Sequence, residues 1–262
     1  MDISTLFSLK GRTALITGGS RGLGKHFAEA FVAAGAKVYI SSRKAEACFA
    51  TAEELGPNCI ALPADVSNME GIDSLIAQLK EHEDGLDILI NNAGLAWGAP
   101  FDEFPETGWD RSMDLNLKAP FFLMQKLRPM LAARASADKP SKVINIASID
   151  GQRLNPWDTY AYHASKAGLI YLTRRVAAEL IKDQINVTAI CPGAFASDMN
   201  RAARDHADDV GKKIPNGRIG NPEDIAAAAI YLAARSGDYI VGNALTVDGG
   251  IVNAFVGASI DA

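Results

Sequence analysis

The 262-residue sequence predicts a doubly wound α/β fold: a Rossmann-type, seven-stranded parallel sheet with helices on both faces. Three observations carry this. Short β-branched runs alternate with helix-period stretches along almost the whole chain, the signature of βαβ units. The first such run leads directly into a glycine-rich turn that opens a helix, Thr17-Gly18-Gly19-Ser20-Arg21-Gly22-Leu23-Gly24. No Pro/Gly linker, low-complexity tract or solenoid-length repeat divides the chain. Residues 1–262 are therefore expected to form one domain, a size at which α/β proteins commonly keep a single core.

Strands are expected at Thr13–Thr17, Lys37–Ser41, Cys59–Pro63, Ile88–Asn91, Lys142–Ala147, Asn186–Ile190 and Ala244–Val247, in the sheet order 3-2-1-4-5-6-7. Helical periodicity is read over Leu23–Ala34, Met69–Lys80, Trp109–Arg134, Ala161–Ile181 and Pro222–Ala234. The last of these starts at Asn221-Pro222-Glu223-Asp224, an N-cap residue, proline at the first helical position and acids in the first turn. Two stretches resist the alternation. Ala135–Lys139 reads as a small polar loop. Phe195–Arg218 is long and follows a strand end, where a segment either covers a ligand or makes a surface excursion.

Composition narrows the function classes. A formal net charge of −5 gives no long-range attraction to nucleic acid or anionic membrane. The start of the chain lacks the basic and apolar pattern of a signal peptide. The longest apolar run, Ile225–Ala234, has ten residues, against the roughly 20 of a membrane span. Cys48, Cys59 and Cys191 are far apart and odd in number, as expected of buried thiols in a reduced, cytoplasmic compartment. His26, His82, His163 and His206 form no ligand-like pair, and no metal site is expected.

Glycines are needed where the chain turns tightly and where backbone must approach a pyrophosphate held by helix N–H groups. The spacing Gly18, Gly22, Gly24 departs from G-x-G-x-x-G, but its place between first strand and first helix suits that role. A site for NAD sets Asp or Glu about 20 residues further on, to hold the ribose 2′-hydroxyl. Here no carboxylate occurs between Ala30 and Ala45; Ser42 and Arg43 end the second strand instead, with Arg21 in the glycine loop. Arginine binds a 2′-phosphate that a carboxylate would repel, so the expected cofactor is NADP(H).

The order of motifs resembles the short-chain dehydrogenase/reductase family, in its single-domain branch, over roughly Gly11 to Gly250. The glycine loop is followed by Asp65, by Asn91-Asn92-Ala93-Gly94, and by Asn116 in the next helix. Ser148 is expected to end the fifth strand, followed by Tyr162-His163-Ala164-Ser165-Lys166 and Pro192-Gly193. Within the family, Gly108-Trp109 and Ile214–Arg218 are similar to 3-oxoacyl reductases of the rhamnolipid-synthesis type. Two departures are visible: Ser197 stands where threonine is usual, and Cys191 precedes the proline.

The resemblance implies an enzyme with Asn116, Ser148, Tyr162 and Lys166 as catalytic residues. It implies cofactor contacts from Gly18, Ser20, Arg21, Gly22, Leu23, Gly24, Ser42, Arg43, Asp65, Val66, Asn92, Ala93, Gly94, Tyr162, Lys166, Pro192, Gly193 and Ser197. It also implies a homotetramer or homodimer formed through the helices bearing Asn116 and Tyr162. The chemistry fits these residue types. Hydride delivery to a carbonyl leaves an alkoxide that needs a proton. Tyr162 can supply it, and Lys166, four residues on along the same helix face, is expected to lower a phenol pKa that is ordinarily ~10. Ser148 would polarise the substrate oxygen and Asn116 would support a water in the proton relay. Tyr160 competes as a phenol, but its partner four residues on is Ala164.

The expected substrate is a small carbonyl compound or alcohol, with ketone reduction the leading activity. Oxidation of an alcohol or polyol uses the same residues, and a cofactor-sensing binding protein would share the fold. Leu95-Ala96-Trp97, Ile149, Leu154, Trp157 and Ala194-Phe195 supply apolar surface after strand ends. Asp150, Gln152 and Arg153 are the polar counterweight.

Overall fold

The computed structural model describes residues 3–254. After a short helix α1 (Ile3–Leu6), the chain runs β1 (Thr13–Thr17), α2 (Gly22–Ala33), β2 (Lys37–Ser41), α3 (Ala45–Leu55) and β3 (Cys59–Ala61). There follow α4 (Met69–Lys80), β4 (Ile88–Asn91), α5 (Glu106–Met113), α6 (Ala119–Arg134) and β5 (Ser141–Ile146). The remainder is α7 (Tyr160–Leu180), β6 (Ile185–Pro192), α8 (Arg201–Asp205), α9 (Ala207–Gly211), α10 (Pro222–Ala233) and β7 (Ala244–Val247). The seven strands form one sheet in the order β3-β2-β1-β4-β5-β6-β7, as the sequence predicts, and every pairing is parallel.

Strand alternation divides the core into two layers. Ile16, Ile40, Ile90, Ile144 and Ile190 face Phe27 and Phe31 of α2 and Ile225 and Leu232 of α10. Their neighbours Leu15, Tyr39, Leu89, Val143 and Val187 face Leu75 and Leu79 of α4, Leu123 and Leu127 of α6, and Leu180 of α7. Both sheet faces are thus covered, and for this reason the strands read as nearly continuous apolar runs. Each such buried side chain contributes roughly 1.5–3 kcal/mol relative to exposure.

Several boundaries differ from the sequence reading. β3 stops at Ala61, β6 extends to Pro192, and β5 ends at Ile146, so Ser148 stands two residues beyond the strand. The stretch read as one helix, Trp109–Arg134, begins at Glu106 and carries a five-residue π turn, Asp114–Lys118, between α5 and α6. Helix α3 buries only Cys48, Thr51 and Ala52, a stripe too thin to show as periodicity. The expected start of α10 holds: the Asn221 N–H donates to Asp224 at 2.8 Å, and Arg218 pairs with the same carboxylate at 2.6 Å. The 195–218 segment folds as α8 and α9 and is pinned by a bridge between Phe195 and Gly220. Among the described residues no helix is long and apolar enough to cross a membrane, and no cluster of His, Cys, Asp and Glu could hold a metal.

Candidate active site

The residues singled out in the sequence gather at the C-terminal edge of the sheet, where doubly wound proteins hold their ligands. The glycine loop follows β1 as a tight turn. Gly18 and Gly22 have φ of 66° and 52°, a region that disfavours side chains. A Cβ on Gly24 would lie 2.1 Å from the Gly18 carbonyl oxygen, so this close crossing admits only glycine. Helix α2 starts here with no side-chain cap and no acid in its first turn. Its first N–H groups and the positive end of its dipole are left for an anion. Above Gly22 the space is open up to Ser197, whose Cβ is 3.8 Å from where a Gly22 Cβ would stand.

The loop is fixed from β4. Asn92 Nδ2 donates to the carbonyls of Thr17 and Gly18 at 2.9 and 3.1 Å. Thr17 Oγ1 accepts from the N–H groups of Asn92 and Ala93 at 3.0 and 3.1 Å. Asn92 and Ala93 therefore shape the cradle, and Thr17, which sequence reasoning passed over, is the hinge pin. Along the groove, Arg43 is exposed and makes no hydrogen bond or ion pair among the described residues. Ser42 Oγ donates to its own turn, to the Lys44 carbonyl. Arg21 differs from expectation: Nη1 is already paired with Asp198 at 2.6 Å, and Arg204 holds the other oxygen of Asp198 at 2.8 Å. The Val66 side chain is packed in the core, leaving only its backbone for a ligand, and Asp65 accepts from the Ser67 N–H. Pro192 ends β6, and Gly193 packs so tightly on Asp248 that a Cβ would meet its Cα at 2.7 Å.

Asn116, Ser148, Tyr162 and Lys166 come together on the far side of Gly94. A Cβ there would lie 3.2 Å from Asn116 Oδ1 and 3.6 Å from Lys166 Nζ. Asn116 sits within the π turn and is fully buried. It accepts the Leu95 N–H at 2.9 Å and donates to the Leu95 carbonyl at 2.8 Å and to Ser165 Oγ at 3.0 Å. Insertions of this kind re-aim helix side chains and are frequent at functional sites. Lys166, 4% exposed, donates to the Ile146 carbonyl at 2.7 Å and lies 5.6 Å from the centroid of the Tyr162 ring. Ser148 is buried, and its oxygen accepts the Asp150 N–H at 3.1 Å.

The expected lowering of the Tyr162 pKa by Lys166 is not what this chain alone produces. Burial pushes Tyr162 up to about 12, and the hydrogen bond from Ser148 only partly opposes it. Burial likewise pulls Lys166 down to about 8. Desolvation dominates both because the low-dielectric surroundings penalise either charged form. Tyr160 is engaged elsewhere: its hydroxyl donates to Asp158 at 2.8 Å, and its ring packs edge-on against Phe101 and Phe104. His163 turns away to Thr159, as a neighbour on a helix must.

Of the apolar residues expected around a substrate, Phe195 proves to be core, packed on Gly220 with Ile225 nearby. Trp97 stacks against Gly108 and beneath Arg111. Leu154 and Trp157 are 86% and 54% exposed on the loop between Ser148 and Tyr162. Gln152 and Arg153 are exposed, with Gln152 accepting from Thr246 at 3.0 Å. Asp150 is half-buried, and its charge reaches Tyr162.

A sheet edge that joins a dinucleotide cradle to a half-buried tyrosine beside a buried lysine and serine defines a class, the nucleotide-dependent oxidoreductases. Residues 18–252 match the family model described as enoyl-(acyl carrier protein) reductase. The rhamnolipids biosynthesis 3-oxoacyl-[acyl-carrier-protein] reductase of Pseudomonas aeruginosa is 46% identical over 93% of this chain and 97% of its own. Sorbitol dehydrogenase of Cereibacter sphaeroides is 39% identical over 92% and 98%. Among solved structures, the Pseudomonas aeruginosa RhlG/NADP active-site complex superposes with a TM-score of 0.90 at 45% identity, covering 94% of this chain and 98% of that one. The chain belongs to the short-chain dehydrogenase/reductase family and is an enzyme of it.

Proposed function

We propose that the protein is an NADP(H)-dependent ketoreductase, converting a ketone, with a 3-oxoacyl thioester the leading candidate, into a secondary alcohol. The observation that carries the reading is the convergence of Ser148, Tyr162 and Lys166 beside the uncapped, glycine-rich start of α2. The cradle suits a dinucleotide pyrophosphate, and the free Arg43 suits a 2′-phosphate. When bound, the nicotinamide supplies the hydride. Tyr162 holds the proton that the substrate oxygen takes, and Ser148 donates a hydrogen bond to that oxygen. Lys166 orients the site through the Ile146 carbonyl and presents its charge to the phenol. Asn116 fixes the Leu95 backbone at the edge of the pocket. A serine and a tyrosine aimed at one oxygen suit carbonyl reduction better than the reduction of a carbon–carbon double bond, which the family model's description names. The relative and the superposed structure support the same choice by what they are named for.

The oxidative reading, a polyol or sugar-acid dehydrogenase, has one observation in its favour. Asp150 places a carboxylate near Tyr162, where it would accept hydrogen bonds from substrate hydroxyls. Leu154 and Trp157 favour an apolar substrate body instead. We also propose that the chain is one catalytic domain acting in the cytoplasm, consistent with three free, buried thiols. In addition, we propose that it assembles as a homodimer or homotetramer. NADPH consumption with 3-oxoacyl thioesters and cyclic ketones, set beside NADP+ reduction with polyols and sugar acids, tests the substrate. A higher kcat/KM for a polyol would reverse the assignment. The cofactor is tested separately: Arg43→Ala should lose on the order of 1.5–3 kcal/mol of NADP+ binding, tens-fold, with NAD+ binding little changed. A wild type that prefers NAD+ would refute it.

A further inference from the structure

The opposite edge of the sheet holds a second concentration of charge that the proposed reaction does not use. A cavity of about 480 Å³ opens there, between α1, the start of β1, the 136–140 loop and the turn before β7. Its lining includes Lys10, Arg12, Lys139 and Arg235, with Asp138 and Asp238. Behind the lining stand two buried charges. Asp87, fully buried, accepts from the Thr13 N–H at 2.9 Å and pairs with Lys139 at 2.8 Å and Arg12 at 3.4 Å. Lys142, 1% exposed, pairs with Asp238 at 2.7 Å.

Buried structural ion pairs are neutral when desolvation is the governing cost. This cluster is not: among the described residues five cations stand in or behind the lining with three carboxylates, on a chain that is negative as a whole, with 31 acidic against 26 basic residues. The surplus has a location. Arg12 is nine-tenths buried, yet only Nη1 is engaged, at 3.3 Å to the Pro140 carbonyl and 3.4 Å to Asp87. Its Nε and Nη2 make no hydrogen bond among the described residues, and Arg12 is one of the side chains that line the cavity. A guanidinium fork with unused donors on a low-dielectric floor is the geometry that takes an oxyanion bidentately. On the rim, the exposed side chains of Lys10 and Arg235 have no partner among the described residues.

We propose that this cavity is an anion-binding site for a small molecule bearing a phosphate or carboxylate, held by Arg12 on the floor, by the half-exposed Lys139 at its side and by Lys10 and Arg235 at the rim. It lies at the N-terminal ends of the strands, while Ser148 and Tyr162 lie past their C-terminal ends, so its ligand competes with neither substrate nor cofactor. The test is equilibrium dialysis of labelled inorganic phosphate against the intact enzyme, with and without saturating NADP+, at constant ionic strength. One phosphate per chain should remain bound when NADP+ is present. The double variant Lys10→Ala/Arg235→Ala, which alters only exposed side chains, should weaken it about tenfold, while Asp138→Asn should tighten it several-fold. Arg43→Ala should leave phosphate binding in the presence of NADP+ unchanged. Phosphate binding that NADP+ abolishes, or that is indifferent to all three rim charges, overturns the proposal. Arg12→Met, checked for folding by circular dichroism, should abolish binding, and retained binding in that folded variant overturns it equally.

Discussion

Tyr162 and Lys166 illustrate how one pair of residues is shaped by burial before any ligand arrives. The phenol is held protonated, its pKa pushed up to about 12 by burial, so proton transfer from it rests on the positive charge that Lys166 brings beside it. Tyr162→Phe keeps the ring and removes that proton. Turnover should fall by roughly 10²–10⁴ while NADP+ affinity stays close to wild type. Tyr160→Phe, which breaks only the contact with Asp158, should leave turnover near wild type, so equal losses in the two variants would displace Tyr162 from its role. For Lys166 the folded value near 8 lies below the ordinary 10.5, so between these the unfolded chain binds a proton that the folded chain has released. Stability of the free enzyme should therefore rise with pH across this window, with a slope of up to about 1.4 kcal/mol per pH unit. Urea melts of wild type and Lys166→Met from pH 7 to 10 measure it; parallel curves would show that Lys166 is not the titrating group. These two residues were legible through the order of motifs that resembles the short-chain dehydrogenase/reductase family; a tyrosine and lysine four apart on a helix would by themselves be common. Thr17 was not, since its value lies in hydrogen bonds to Asn92 and Ala93, seventy-five and more positions away. No local pattern encodes that contact.

Among the elements, what the sequence shows and what it hides divide along similar lines. Strand and helix cores were legible because burial imposes a period; the βαβ alternation implied a parallel sheet, and the strand order came from the doubly wound dinucleotide-binding fold that the glycine loop points to. The π turn at Asp114–Lys118 was not, because one extra residue in a helix leaves the apolar pattern almost intact while turning Asn116 toward Leu95 and Ser165. The 195–218 segment was recognisable by length alone, and the structure supplies its contact with the glycine loop, the Arg21–Asp198–Arg204 tie. That tie has a consequence for the cofactor. An Asp198 carboxylate next to Arg21 engages its guanidinium and repels a 2′-phosphate. Asp198→Asn should accordingly tighten NADP+ a few-fold with little effect on NAD+, as read from fluorescence titrations at low and high salt. If the tie acts instead as a strap across the groove, both nucleotides will dissociate faster in the variant by the same factor. The exposed pair adds little to folding stability in either case.

At the scale of the whole molecule, the faces left bare carry information that burial within one chain does not. Helix α7 packs against the π turn that leads into α6, with Gly168 beneath Leu117, where a Cβ would stand 3.2 Å from the leucine. Their outer surface forms a groove lined by Leu117, Phe121, Phe122, Tyr171 and Leu172, with Asp114, Lys118 and Arg175 at its borders. Tyr171 is 72% exposed and Phe121 37%, large apolar side chains side by side with both signs of charge around them. An apolar centre with a mixed polar rim is the anatomy of a self-complementary interface, in which each protomer presents the same patch. Helix α7 carries Tyr162 and Lys166, and α6 leads out of the turn that holds Asn116, so association would brace these candidate catalytic residues from behind. Wild type should therefore run as a dimer or tetramer in light scattering. Phe121→Glu/Tyr171→Glu places charges at the centre of the patch and should shift the mass toward the monomer, lowering kcat more than it raises KM. A wild-type monomer, or a monomeric variant with full turnover, would separate catalysis from assembly and leave the groove without that role.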